Sequence, residues 1–252
     1  MLQGFTKSTF ADDNGNVRTY FRIGSGPAVM VIHEFLGLSP STLDFCRRLS
    51  DEGFTVYAPV LFGRPGTVPS AFDLLKSAAQ ICISREFALF AHSRSSPVAD
   101  SLRALARRIV ANHQPSRYGV IGLCLTGNFA LAMMGDSALV APVAGEPALP
   151  LGVSRDGRAS LGLSAREIAV VKERLAEGVT VLGYRFKPDT VCPKERFEAM
   201  REIFGSGFEG HCIDPSPKRA RHHSVFTQDY DPDWAPTRDA FLRLVAFLRD
   251  RL

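Results

Sequence analysis

Cys124 stands between two glycines in Gly122-Leu123-Cys124-Leu125-Thr126-Gly127, which reads as the Gly-x-Cys-x-Gly nucleophile elbow with cysteine in place of the usual serine. The chemistry this implies is attack by sulfur on an activated carbonyl. A sharp turn lifts the nucleophile above a sheet, and side chains at the flanking glycines would collide with a neighbouring strand or helix. The unpaired N–H groups at the start of the next helix favour a thiolate, and the Leu125 N–H can point at an oxyanion. An isolated free cysteine is most often a small core residue. Here the glycines, the preceding Tyr118-Gly119-Val120-Ile121 run and the small residues from Asn128 onward favour the nucleophile. Cys46, Cys82, Cys192 and Cys212 have no such setting and read as packing residues.

A thiol nucleophile needs a base and a group that orients the base, arriving after later strands in the order nucleophile, carboxylate, histidine. Asp189 follows the strand Val179–Leu182, near the carboxyl end where open α/β sheets bind ligands. An Asx turn or helix cap is its other reading. His222 and His223 lie together after the last weak strand, and one of the two is expected to be a bystander. His33, His92, His113 and His211, taken singly, read as structural or exposed. Glu34 ends the apolar run Ala28–Ile32 within His33-Glu34-Phe35-Leu36-Gly37. A carboxylate there is costly unless paired, so a salt bridge or a role beside the thiol is expected. The same loop is where a second oxyanion donor belongs.

The elements that must position these residues alternate between strand and helix. Tyr20–Ile23 reads as an edge strand, Ala28–Ile32 as a strand covered on both faces, and Thr55–Ala58 as the next strand. Ser39-Pro40 supplies an N-cap and a first-turn proline for a helix ended by Gly53. Helical patterns span 71–91 and 98–113, and Gly119–Gly122, Leu139–Ala141 and Val179–Leu182 read as strands. Ser164-Ala165-Arg166-Glu167 has capping-box spacing. Helices from Lys194 to Phe204 and from Pro236 to Arg249 enclose a weak strand near Phe208–Ile213. The Gly/Pro-rich stretch 142–162 reads as a long surface loop. One α/β domain over 1–252 is expected, a mostly parallel central sheet with helices on both faces.

Composition agrees with that class and excludes others. Of 252 residues, 45% are hydrophobic and 22% charged, proportions that rule out a disordered, collagen-like or coiled-coil chain. A net charge of +4 is too small to imply nucleic acid or an anionic membrane as partner. The basic run Lys218-Arg219-Ala220-Arg221 reads as a solvated loop. Five cysteines make an odd number without a Cys-x-x-Cys pair or zinc spacing, so no metal and no cofactor is expected. Neither a signal-peptide pattern nor a membrane-length apolar run is present, and a reducing cytoplasm is the expected compartment.

The sequence resembles the dienelactone hydrolase family of the α/β-hydrolase superfamily. The residues that carry the likeness are His33-Glu34-Phe35-Leu36-Gly37, the segment from Gly53-Phe54 through Pro59 to Leu61-Phe62-Gly63, the Cys124 elbow, the Asp189 loop and His223-Ser224-Val225-Phe226. The resemblance implies an α/β-hydrolase fold and a Cys124–His223–Asp189 triad, with His223 chosen over His222 by its spacing to Ser224 and Phe226. It also implies that Glu34 governs the thiol proton and that the Phe35 and Leu125 N–H groups form the oxyanion hole. Where family members place a substrate-binding arginine shortly after the histidine, this chain has Thr227. The resemblance offers Arg85 as the counterpart of a second substrate-binding arginine, with an ion pair to Glu86 as its other reading. An ester or lactone other than dienelactone is therefore expected.

The expected reaction is hydrolysis of a small ester or lactone through a thioester on Cys124, by a monomer or small homo-oligomer. A non-catalytic scaffold that binds a small ligand or a protein is the alternative, since fold does not fix function. A cysteine peptidase is a weaker one, because it would want an extended substrate groove.

Overall fold

The computed structural model describes residues 2–68, 97–149, 155–219 and 222–252. Its strands are β1 (Thr6–Ala11), β2 (Val17–Ile23), β3 (Ala28–Ile32), β4 (Thr55–Pro59), β5 (Tyr118–Leu123), β6 (Leu139–Gly145), β7 (Val181–Phe186) and β8 (Phe208–Ile213). Its helices are α1 (Pro40–Asp51), α2 (Pro97–Ala111), α3 (Gly127–Ala132), α4 (Arg155–Ala159), α5 (Ala165–Ala176), α6 (Lys194–Phe204) and α7 (Ala235–Arg251).

The eight strands form one sheet in the order β1-β2-β4-β3-β5-β6-β7-β8. The pairs β1–β2 and β2–β4 are antiparallel, and every later pair is parallel. The segment around Tyr20–Ile23, expected at an edge, is flanked on both sides. β1 takes the edge, because its polar Thr-Lys-Ser-Thr sequence gave no apolar pattern to read.

Alternation along β3 explains the two-sided burial. Ala28, Met30 and Ile32 face a core shared with α2, α3, α5 and α6. Val29 and Val31 face the opposite core with α1 and α7. A strand covered on both faces needs apolar residues at every position, which is what a continuous apolar run supplies. The helix starts follow their caps: Ser39 accepts from the Thr42 N–H ahead of α1, and Ser164 and Glu167 exchange both bonds of a capping box ahead of α5.

Among its described residues, the stretch 142–162 is not simply a surface loop. β6 runs on to Gly145, residues 141–148 are buried, and α4 follows. Pro142 lies ahead of the β6–β7 ladder, which begins at Val143, so its missing N–H forfeits no bond to β7. The helical pattern at 71–91, and Arg85, Cys82 and His92 within or near it, lie outside the described residues.

Candidate active site

The residues singled out for chemistry come from four loops at the carboxyl ends of β3, β5, β7 and β8. Cys124 follows β5 directly and adopts φ +55°, a left-handed conformation that is costly for a side chain other than glycine. A 3-10 turn, Cys124–Thr126, then leads into α3.

The glycines are required by contact. A Cβ on Gly122 would lie 2.3 Å from the Thr126 carbonyl oxygen, and one on Gly127 would lie 2.8 Å from the Pro147 Cα. The elbow departs from the motif in one place, because Thr126 stands where the second glycine was expected and Gly127 follows it. Thr126 is tolerated because its hydroxyl accepts from the Leu123 N–H at 3.0 Å and reaches the Ile32 carbonyl at 2.9 Å, tying the turn to β3.

Asp189 serves two purposes at once. Its Oδ1 accepts from the Val191 and Cys192 N–H groups at 2.8 and 3.1 Å, an Asx-type turn. Its Oδ2 lies 2.7 Å from His223 Nδ1. Both readings open from the sequence are realised, one oxygen each. Buried Arg185 fixes this loop by donating to the carbonyls of Cys192, Lys187 and Asp189. Sequence reasoning passed over Arg185, since nothing local marks an arginine in a strand as a loop anchor.

The His223 loop is pinned from below. The Asp229 carboxylate accepts from the His223 and Ser224 N–H groups at 2.9 and 3.0 Å. Phe226 stacks on Phe45, with ring centroids 5.4 Å apart, and its carbonyl accepts from Arg48. His223 Nε2 is buried and makes no full hydrogen bond among the described residues. The Cys124 thiol is nonetheless close enough for thiol and ring to shift each other's protonation. His222, expected as a bystander, borders the same cavity, but only His223 meets the Asp189 carboxylate.

Glu34 is buried, with Ser224 Oγ donating to its Oε2 at 3.2 Å and Thr227 Oγ1 donating to Oε1. The expected pairing partner is therefore a pair of hydroxyls and not an arginine. Burial pushes its carboxyl up, while the Thr227 bond, the His223 charge and the Ser224 bond oppose the rise. His33 is structural: Nδ1 donates to the Glu34 carbonyl at 2.8 Å and Nε2 accepts from the Leu61 N–H at 3.0 Å. Burial holds its pKa down at about 4, so the ring is neutral.

Burial raises the Cys124 thiol, and the His223 contact only partly offsets it. The thiolate expected from the helix start is not favoured at rest, because α3 is short and the thiol is largely desolvated. Burial opposes the His223 imidazolium as well, but the Asp189 bond and the nearby Cys124 thiol outweigh it and raise the ring well above its ordinary value.

A cavity of about 430 Å³ opens over these groups, bordered by Glu34, Phe35, Cys124, Val191, His223 and Gln228 among others. Phe35 lines it, and its N–H makes no hydrogen bond among the described residues. Leu125 lies behind Cys124 with its side chain in the core. Glu146, next to Gly145 at the end of β6, is a fully buried carboxyl beside the site that the sequence did not point to. Among the described residues no cluster could hold a metal ion, and no helix is long and apolar enough to cross a membrane.

The strand order and the elbow, acid and histidine loops define an α/β hydrolase. The chain belongs to the dienelactone hydrolase family, whose model matches residues 18–151. No curated protein matches it by sequence. Among solved structures, it is similar to a putative dienelactone hydrolase from Klebsiella pneumoniae, at 20% identity and TM-score 0.67 over 97% of this chain and 98% of that one. A dienelactone hydrolase-like promiscuous phosphotriesterase from metagenomic libraries matches at 17% identity and TM-score 0.63, over 97% and 99% of the two chains. An esterase domain from a Rhodothermus marinus protein matches at 14% identity and TM-score 0.61, over 98% and 99%. Family and fold together make the chain a hydrolase of the dienelactone hydrolase-like type.

Proposed function

We propose that this hydrolase cleaves a small ester or lactone through a thioester on Cys124, with His223 as base and acid and Asp189 as its orienting group. The observation that carries the reading is the 2.7 Å contact of Asp189 Oδ2 with His223 Nδ1, which leaves a buried Nε2 for the adjacent thiol. Once the ring has released its resting proton to solvent, the thiol proton passes to His223 Nε2 as sulfur bonds to the carbonyl carbon. The oxyanion is met by the Phe35 and Leu125 N–H groups, each donor of this kind contributing about 3–4 kcal/mol. The carbonyl re-forms, the carbon–oxygen bond breaks, and the alkoxide takes the proton back from His223. Water then attacks the thioester, giving a proton to His223 that returns to the departing sulfur.

Glu34 is a second acceptor for the thiol proton, at rest held by Ser224 and Thr227. The described wall of the cavity carries carboxyls, histidines, Gln228 and apolar side chains but no lysine or arginine. Thr227 spends its hydroxyl on Glu34 and offers nothing to a substrate carboxylate. Uncharged esters and lactones therefore suit this wall better than carboxylated ones.

The test is turnover of p-nitrophenyl esters and neutral lactones by wild type and Cys124→Ala, with intact-mass measurement of the trapped acyl-enzyme. An added acyl mass on wild type and its loss, with turnover, in the variant are expected. Unchanged turnover in Cys124→Ala removes the proposal. A scaffold without activity would show neither turnover nor selective alkylation of Cys124 by iodoacetamide.

A further inference from the structure

Glu146 is the first residue after β6, and its position is forced. Its backbone has φ +37°, left-handed, which costs a side-chain-bearing residue roughly 1–2 kcal/mol. Three contacts clamp it there. The Glu146 N–H donates to the Tyr184 carbonyl at 2.8 Å, the Pro147 carbonyl accepts from Arg196 at 2.9 Å, and the Ala148 N–H donates to the Cys124 carbonyl at 2.9 Å. The strand thus ends by turning a carboxyl into the protein interior beside the nucleophile.

That carboxyl is fully buried, and neither oxygen makes a full hydrogen bond among the described residues, the Val225 N–H approaching without closing one. A glutamine, leucine or methionine would fill the space without the cost of desolvating a carboxyl. The groups that act on it come from every loop of the site: Glu34 after β3, Cys124 after β5, Asp189 and Cys192 after β7, and His223 after β8. The guanidiniums described nearby are spent on carbonyls instead, Arg196 on those of Ser160, Pro147 and Gly157 and Arg185 on those of Cys192, Lys187 and Asp189. Glu34 differs, because two hydroxyls donate to it and stabilise its charge. The one positive group that acts on both, His223, offsets one negative charge of the pair but not two. Of the two, Glu146 keeps the proton.

We propose that Glu146 is a positioning residue of this site: a carboxylic acid held neutral at rest, whose ionisation puts a second negative charge beside Glu34 and shuts the site at alkaline pH. The second charge works against the negative charge that builds on the Cys124 sulfur and then on the carbonyl oxygen during attack, so acylation stops. The only chemical change is loss of one proton from Glu146 to solvent.

The kinetic consequence rests on the reading of Cys124 as nucleophile; the protonation state of Glu146 does not. Infrared spectroscopy of the whole protein reads that state directly, through the carbonyl band of a protonated carboxyl. At neutral pH the band should be present in wild type, retained in Glu34→Gln and absent in Glu146→Gln. On raising the pH of wild type the band should fade over the range in which kcat/KM falls, and in Glu146→Gln that fall should move up by at least about one pH unit. No band in wild type, a band that survives in Glu146→Gln, or one that persists through the fall in kcat/KM overturns the proposal. A falling limb that Glu146→Gln leaves in place also overturns it, since a purely structural carboxyl changes stability without moving the profile. The wild-type titration decides the matter even where the variant does not fold.

Discussion

Asp189 splits its carboxylate between a turn and a ring: Oδ1 takes the Val191 and Cys192 N–H groups, and Oδ2 takes His223 Nδ1 at 2.7 Å. Asp189→Asn separates the two uses. The amide keeps an oxygen for the turn, so the loop should persist. Its NH2 now faces Nδ1 and forces that nitrogen to accept, which moves the ring proton to Nε2, opposite the thiol. A tautomer reversed in this way costs about 10⁴ in kcat in a serine-protease triad. A fall in kcat of roughly 10³–10⁴ with Tm within a few degrees of wild type is expected. Steady-state turnover and thermal melting check it, and a loss below tenfold contradicts the role given to Asp189.

Much of this arrangement is legible in the sequence. β3, the Ser39 cap, α6 and β8 appear where periodicity and caps put them, because each carries its signal in adjacent residues. Family membership and fold agree with the resemblance carried by the residues around Glu34, Cys124 and His223. What escaped is non-local. Arg185 and Arg196 are buried arginines satisfied by carbonyls from distant segments, and no spacing rule announces such a pairing. Glu146 lay in a Gly/Pro-rich stretch that reads as exposed loop. Its burial comes from the β6 extension packing against the elbow, through the contact of Pro147 with Gly127. Arg85 is not among the described residues, and its expected contact with substrate remains a proposal for a Lys or Ala replacement to test.

The elbow glycines should be intolerant to different degrees. Gly122→Ala puts a methyl 2.3 Å from backbone oxygen within the same tight turn, where no side chain can give way. Gly127→Ala meets Pro147 at 2.8 Å, on a neighbouring segment that can shift by tenths of an ångström. Overpacking typically costs about 1–3 kcal/mol. Gly127→Ala should fall in that range, and Gly122→Ala at or above its upper end with loss of activity. Urea denaturation of both variants measures this, and equal stabilities would mean that the turn is softer than the contacts imply.

His33 gives the fold a pH dependence of calculable sign. Its folded pKa is lowered from 6.5 to about 4, so the unfolded chain takes up a proton first as pH falls. The stabilisation is complete above pH 6.5 and is lost as pH drops through the folded value near 4. At 1.36 kcal/mol per unit the loss is about 3 kcal/mol across that window. Replacing the ring by Gln removes the titration, and a His33→Gln variant should show a flatter dependence of ΔG on pH between those limits. Urea melts across the range check it. An unaltered slope would assign the acid sensitivity to other groups.

Thr227 and Ser224 are the two donors that hold Glu34, and they differ in what else they do. Ser224 also bonds to Asp229 through its backbone N–H, but its hydroxyl, like that of Thr227, is used on Glu34 alone among its described side-chain contacts. Thr227→Val is nearly isosteric and removes one donor from a buried carboxyl. Losing a hydrogen bond to a charged group costs about 1.5–3 kcal/mol, one to two units in the affinity of Glu34 for its proton. The Glu34 carboxyl should therefore stay protonated to higher pH. If it accepts the thiol proton, the rising acid limb of kcat/KM moves up by about one unit or more. If His223 alone accepts it, the limb stays in place, and only stability falls. The pH profile of Thr227→Val, read beside Ser224→Ala, thus separates the two candidate bases of Cys124. It does so without touching the sulfur, the ring or the Asp189 carboxylate.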